Sequence, residues 1–234
     1  FQPIVVDTEC VIHSTFHTDV PQARYDILID PKMAFGTGHH QTTCHMLRAI
    51  LATDMTGKRV LDMGCGTALL AILARKHGAK DVVAIDISQL SVDVMKERGI
   101  NAMNINFFDE TFVEKFDTLL FAMNGIGIVG KVENLDSFFR SARRLLAPGG
   151  QLLLDSSDIS YVFTDEDGCM DIDLNAGYYG EIDYAMRYKN IKGEPFDWLY
   201  IDFETLSMYA EEHGFKCEKC IDGEHYDYLA KLTL

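Results

Sequence analysis

The sequence predicts an α/β fold, a doubly wound and mostly parallel sheet of seven strands with an inserted β-hairpin cap. Three observations support this. Short β-branched apolar runs alternate with amphipathic stretches through the middle of the chain, the rhythm of consecutive βαβ units. Glycines fall where that rhythm changes, at Gly64, Gly66, Gly78, Gly99 and the Gly149-Gly150 pair, where tight turns and left-handed helix ends are needed. The 234 residues, 47% hydrophobic and 24% charged, suit one elaborated α/β domain rather than a disordered chain.

The elements follow in order. Residues 59–63, RVLDM, read as a buried strand, and the glycines after it lead into a helix reaching about His77, with Leu69, Leu70, Ile72 and Leu73 on its apolar face. Residues 82–86 form the next strand. Ser88 is suited to cap the following helix, on which Leu90, Val94 and Met95 are expected to face inward, with Gly99 closing it. Residues 102–107 and 118–122 read as the third and fourth strands. Between 132 and 146 the apolar positions Leu135, Phe138, Phe139, Ala142, Leu145 and Leu146 recur at helical spacing. Pro148-Gly149-Gly150 is expected to end that helix, and residues 151–155 form a fifth strand. Beyond Asp155 the rhythm breaks, and residues 158–180 read as a loop or lid. Residues 182–188 and 196–203 flank Lys192-Gly193-Glu194-Pro195 as a hairpin. A helix at 204–213 and strands at 215–221 and 226–234 complete the pattern. No internal repeat or linker divides the chain.

The charge balance restricts the partners. With 21 basic and 36 acidic residues the formal net charge is −15, a field that repels a phosphate backbone. Nucleic acid is therefore a poor partner, and a small molecule or a basic protein segment a better one. No apolar run is long enough for a membrane-spanning helix, and the first residues lack the basic start and apolar core of a signal peptide. Six scattered cysteines include one CxxC, Cys217 to Cys220, with no second pair or histidines at zinc-ligand spacing. They read as reduced thiols of a cytoplasmic protein. His39, His40 and His45 likewise lack companion ligands, so no metal is expected.

The chemistry lies in Asp62-Met63-Gly64-Cys65-Gly66-Thr67 and in Asp86, which ends the second of these strands. A glycine turn opening a helix lets a ligand approach backbone N–H groups closely, and an acid at the next strand end can accept hydrogen bonds from a ribose diol. A dinucleotide fingerprint needs a third glycine where Leu69 stands. The run from Val60 to Thr67 instead resembles motif I of class I S-adenosylmethionine-dependent methyltransferases, whose fold is Rossmann-like. The resemblance implies S-adenosyl-L-methionine as cofactor and S-adenosyl-L-homocysteine as product. It implies Asp62 near the methionine end, Gly64 and Gly66 under the cofactor, Asp86 with Ile87 at the ribose, and Phe108 with Asp109 at the adenine. Ala68 stands where many members have glycine.

A narrower motif lies upstream, Phe35-Gly36-Thr37-Gly38-His39-His40-Gln41-Thr42-Thr43. It resembles the FGTGxHxTT segment of PrmA-type ribosomal-protein methyltransferases, which implies that Phe35, Gly36, Thr37 and Thr43 cover the cofactor. That resemblance spans about residues 27–87. Asn124 matches the asparagine this family carries after its fourth strand, in different surroundings. From about Ser88 to 234, MNGIGIVG, PGGQLLLDSSD, YYGE and FDWLY resemble another bacterial class I methyltransferase group of unassigned substrate, so the reading includes a chimera joined near residues 86–88. The expected organisation is one methyltransferase domain. Its parts are N-terminal strands and a cofactor-covering segment (1–56), a cofactor-binding core (57–157), an inserted cap (158–202), and a closing helix and strands (203–234).

The expected function is methyl transfer to a small-molecule or protein acceptor. The alternative is a catalytically silent or chimeric scaffold that at most binds the cofactor. A nicotinamide oxidoreductase is disfavoured by Leu69. Tyr178, Tyr179 and Tyr184 read as hairpin packing or as pocket lining, and His225 with Tyr226 as structural or as an acid–base pair.

Overall fold

The structure, a computed structural model, describes residues 2–29, 41–173 and 175–234. It opens with β1 (Ile4–Val6), β2 (Cys10–His13) and β3 (Tyr25–Leu28), which form a small three-stranded sheet in that order. Asp7 and Thr8, both at positive φ, turn β1 back on β2. Helix α1 (Gln41–Ala52) then leads into β4 (Arg59–Met63), α2 (Leu69–Lys76), β5 (Asp81–Asp86), α3 (Gln89–Glu97) and β6 (Ala102–Asn104). After β7 (Phe116–Phe121) come 3₁₀ turns at Gly125–Val129 and Val132–Asn134, α4 (Leu135–Leu145) and β8 (Leu146–Ser157). The cap carries β9 (Glu181–Tyr184), β10 (Arg187–Tyr188), β11 (Ile191–Lys192) and β12 (Phe196–Leu199). The chain closes with α5 (Phe203–Glu212), β13 (Lys216–Asp222) and β14 (Asp227–Thr233).

Seven strands form the main sheet in the order β13-β14-β8-β7-β4-β5-β6. Strands β6, β5, β4, β7 and β8 run parallel, and β14 lies antiparallel between β8 and β13. The α/β expectation and its mostly parallel, doubly wound sheet are thus what the structure has. One side of the sheet packs Phe121, Leu152 and Leu154 against Phe138, Phe139 and Leu145 of α4 and Leu206 of α5. The other packs Leu120, Leu153 and Leu229 against Met46, Leu47 and Ile50 of α1 and Leu73 of α2. Each such side chain contributes roughly 1.5–3 kcal/mol by leaving water.

Three local expectations are corrected. On α3, Leu90 and Val94 do not face inward: they are 75% and 40% exposed, whereas Val92 and Met95 are buried. At 100° per residue the stripes 90/94 and 92/95 lie on opposite sides of the helix, and only one can meet the sheet. Pro148-Gly149-Gly150 does not delay the fifth strand, because β8 already begins at Leu146. The pairing steps from Phe116–Leu146 to Thr118–Gln151, so the extra residues bulge out around Gly149 at φ 73°. The cap hairpin is two nested ladders rather than one. Strand β9 pairs with β12, while β10 and β11 pair beyond them and turn at Lys189, at φ 55°. Pro195, which has no N–H to donate, falls in the interruption between the ladders.

The cap docks on the turn after β7. The Nδ2 of Asn124 donates to the Leu199 carbonyl at 3.0 Å, and the Val132 N–H donates to Glu181 Oε1 at 2.9 Å. The indole of Trp198 lies against Gly127, where a side chain would collide with it.

Candidate cofactor and acceptor site

The carboxyl ends of β4, β5, β7 and β8 lie at one edge of the sheet, where open α/β sheets bind ligands. Between β4 and α2 the chain turns through Gly64 (φ 65°), Gly66 (φ 51°) and Ala68 (φ 60°). The Gly64 N–H donates to the Ile85 carbonyl at 3.0 Å, tying the turn to β5. Among the described residues nothing lies within 4 Å of the Cβ that Gly64 lacks, so it is the left-handed backbone that demands glycine there. Ala68 holds the same left-handed conformation with a side chain. Ala68→Gly is therefore expected to stabilise the protein by about 1 kcal/mol, read as a higher urea midpoint at unchanged m-value.

Two acids flank this turn. Asp62, 1% exposed in β4, reaches over the turn and accepts the Ala71 N–H of α2 at 3.2 Å through Oδ2. Its Oδ1 is buried and makes no hydrogen bond among the described residues. Burial raises the Asp62 carboxyl to about 7 against the pull of that single bond. Asp86 ends β5 half-buried, and its Oδ1 accepts the Ser88 N–H at 2.8 Å. Ser88 caps α3 as expected, accepting the Ser91 N–H at 3.3 Å. Ile87 follows Asp86 and is 77% exposed, an apolar surface beside the turn. The Cys65 thiol donates to Met95 Sδ and is raised by burial and then by Asp62 and Asp86. A protonated thiol of this kind is no nucleophile.

Phe108 and Asp109 lie in the turn after β6. Asp109 Oδ1 accepts both the N–H and the hydroxyl of Thr111, at 2.9 and 2.7 Å, and these bonds hold its carboxyl below the usual range. Phe108 is half-buried and lines a cavity of about 660 Å³ with Glu110, Val129 and α4 residues that include Ser137 and Arg140. Thr43 lies in the first turn of α1, where its hydroxyl and that of Thr42 meet Met123 Sδ at 3.5 and 3.3 Å. Phe35, Gly36 and Thr37 lie outside the described residues.

Asn124 sits just past β7 in a left-handed conformation (φ 54°) and joins a buried network. Its N–H donates to Asp155 Oδ2 at 3.0 Å, and its Oδ1 accepts from the Ser156 hydroxyl at 2.7 Å. Ser156 Oγ in turn accepts the Ile201 N–H at 3.1 Å. The side chain of Asn124 thus clasps β8 and the cap.

Sequence reasoning passed over Asp155, Asp227 and the pairing of His45. Asp155 is an acid near the end of a buried parallel strand, the same signal that singled out Asp86. Asp227 belongs to a strand whose register only the folded sheet reveals. Of the cap tyrosines, Tyr178 donates to Asp202 at 2.6 Å and Tyr179 to Asp158 at 2.8 Å. Tyr184 meets the Tyr200 hydroxyl at 3.0 Å. The Tyr178 bond ties the cap to the start of α5, where Asp202 accepts the Thr205 N–H. Tyr226, at φ 63°, stacks on Tyr161 with ring centroids 4.5 Å apart. His45 has Asp227 as its acidic neighbour, 3.2 Å away.

A seven-stranded Rossmann-like sheet with a glycine turn between two acids is the architecture of S-adenosylmethionine-dependent methyltransferases. The profile of the family described as ribosomal protein L11 methyltransferase (PrmA) matches residues 1–154, and the chain belongs to that family. The match runs past the 27–87 span that the motifs carried. The L11 methyltransferase of Bacteroides thetaiotaomicron is 52% identical over 117 residues, covering 50% of this chain and 40% of that protein. That of Bacteroides fragilis is 48% identical over 131 residues, covering 53% and 47%. The chain thus spans less than half the length of these relatives. A methyltransferase from Bacteroides fragilis solved with S-adenosyl-L-homocysteine superposes with a TM-score of 0.72 at 53% identity, over 81% of this chain and 76% of that one. The L11 methylase of Lactobacillus delbrueckii subsp. bulgaricus, 20% identical, shares the fold over 99% of this chain and 98% of its own, with a TM-score of 0.64. S-adenosylmethionine, the cofactor expected from motif I, accords with these findings.

Proposed function

We infer that the protein transfers the methyl group of S-adenosylmethionine to a protein acceptor, with ribosomal protein L11 the first to test. The observation that carries this is the left-handed turn at Gly64, flanked by Asp62 and Asp86, in a chain of this family. In this reading Asp86 accepts from the ribose, Ile87 and Phe108 border the adenosine, and Asp109 offers its second oxygen to the adenine amine. Asp62 holds the turn with one oxygen and meets the amino-acid end with the other. Thr43, with Phe35, Gly36 and Thr37 before it, covers the cofactor from the start of α1, and Asn124 fixes the wall formed by the cap. The cofactor supplies a methyl group on a sulfonium, and transfer is an in-line displacement that the protein promotes by orienting the acceptor and excluding water.

The compartment proposed is the cytoplasm. The six cysteines form no disulfide among the described residues, and no helix among those residues is long and apolar enough to cross a membrane. Calorimetry tests the cofactor: saturable binding of S-adenosylmethionine and S-adenosylhomocysteine is expected, with none of NAD. Asp86→Ala should weaken both adenosyl ligands by about 1–3 kcal/mol, the loss of hydrogen bonds to a charged group. Wild-type affinity in that variant would remove Asp86 from the site. Sustained S-adenosylhomocysteine release with purified L11 tests turnover, and binding without release for any acceptor is what the scaffold reading requires.

A further inference from the structure

The turn that carries Phe108 and Asp109 hangs from an edge of the main sheet. It follows β6, which is three residues long and has no strand beyond it among the described residues. Aromatic side chains anchor the two ends of the turn. Phe107 meets Phe121 and Phe138 with ring centroids 4.9 and 5.5 Å apart, and Phe112 meets Phe116 at 6.1 Å. The residues between them are half-buried or exposed. Toward α4, the cavity of about 660 Å³ separates Phe108 and Glu110 from Ser137 and Arg140. Close packing against the helix therefore does not fix the middle of the turn.

Hydrogen bonds from Arg144 fix it instead. This half-buried side chain projects from the last turn of α4. Its Nη1 donates to the carbonyls of Asp109 and Phe112, the latter at 2.7 Å, and its Nη2 donates to the Phe107 carbonyl at 3.1 Å. One guanidinium thus gathers three carbonyls of the turn between Phe107 and Phe112. A planar fork of N–H groups can do this where the single ammonium of a lysine cannot. The helix end that carries Arg144 is itself held. Lys115 Nζ donates to the Arg144 and Leu146 carbonyls at 2.6 and 3.1 Å, and Leu145 packs in the core. The Asp109 carbonyl also accepts the Phe112 N–H at 3.1 Å, so the guanidinium grips the turn at the residue whose carboxylate faces a ligand. Its charge adds to the Thr111 bonds in keeping that carboxyl ionised, as an acceptor of N–H groups.

We propose that Arg144 is the positioning residue of the adenine subsite, and that by bracing the turn from Phe107 to Phe112 it sets the preference for a base bearing an amino group. This rests on the cofactor reading and extends it. Arg144 acts through Asp109 and not by touching the cofactor. Thr111 engages Asp109 Oδ1, and Oδ2 meets the exocyclic amine. A hydrogen bond weakens steeply with misalignment, so the base is read only while the turn stays where the guanidinium holds it.

Calorimetry on the full chain compares S-adenosylhomocysteine with its 6-deamino analogue, in which hydrogen replaces the adenine amino group. The wild-type protein should bind S-adenosylhomocysteine about tenfold more tightly than the analogue, the effect of one hydrogen bond to a carboxylate. Arg144→Lys keeps the charge and loses the fork. It should bind S-adenosylhomocysteine about tenfold more weakly than the wild type and the analogue equally well, so that the preference disappears. Asp109→Ala, a change at an exposed position, should abolish the preference too. Adding Arg144→Lys to it should cost nothing further, because residues that act through one contact are not additive. Equal weakening of both ligands in Arg144→Lys, or a variant that no longer folds, marks Arg144 as a support of the fold and overturns the proposal. So does a preference that survives Arg144→Lys. A wild-type protein that binds both ligands alike overturns the proposal and leaves the cofactor reading standing. One that binds neither removes the cofactor reading and the proposal with it.

Discussion

Replacing Gly127 with alanine is expected to lower the unfolding free energy by about 1–3 kcal/mol and to shift the emission of Trp198 to the red. Trp198 is the chain's single tryptophan, so its fluorescence reads cap docking without a label. A Cβ on Gly127 would collide with Nε1 and Cε2 of the Trp198 indole, an approach that real Cβ contacts do not reach. The indole belongs to β12, whose backbone is paired with β9 from Phe196 to Leu199, so the ring cannot withdraw alone. Relief comes by lifting the ladder off the turn, which strains the Asn124–Leu199 bond and the Val132–Glu181 bond together. Urea titration followed by emission maximum checks this, and an unchanged maximum would show that the cap does not rest on Gly127.

Asp62→Asn is expected to stabilise the cofactor-free protein at pH 8 by about 1–3 kcal/mol while weakening S-adenosylmethionine. Burial raises the folded carboxyl from an ordinary 3.8 to about 7. Between those values the folded protein holds a proton that the unfolded chain has released. Stability from this group is therefore full below about pH 4 and declines as pH rises through about 7. Asp155, also raised to about 7 by burial and then by Asp227, acts in the same direction. Urea unfolding at pH 5 and pH 8 should show the wild-type protein losing stability on the alkaline side, with a smaller loss in Asp62→Asn. Equal losses in both would mean that Asp62 is not the strained group. An opposite trade, stability gained and ligand lost, is what a residue kept for binding should show.

The parts of this molecule that were legible in its sequence are those with local causes. The run of strand 59–63, the turn at Gly64 and Gly66, and the acid ending β5 each follow from a few adjacent residues. Left-handed turns demand glycine, and buried parallel strands read as apolar runs. Ser88 caps α3 through a bond to a residue three positions away, so its role was visible without the fold. The five apolar positions Leu135, Phe138, Phe139, Ala142 and Leu145 are all buried, because a single stripe on α4 leaves no choice of face.

Where the sequence offered two stripes, as on α3, the strands it packs against chose between them, and Leu90 and Val94 ended outside. The cap was visible as a hairpin, but its nesting depended on where a left-handed residue and a proline could be tolerated. Asp155 and Asp227 carry the same residue type as Asp86 yet gave no signal as a pair, since only the antiparallel register of β14 on β8 sets them side by side. Sequence by itself determined the strand–turn–helix units and the cofactor turn, because backbone conformation and hydrophobic period act over a few residues. Tertiary structure alone decided which buried carboxylates meet, because burial and charge proximity are properties of packed surfaces, not of neighbours along the chain.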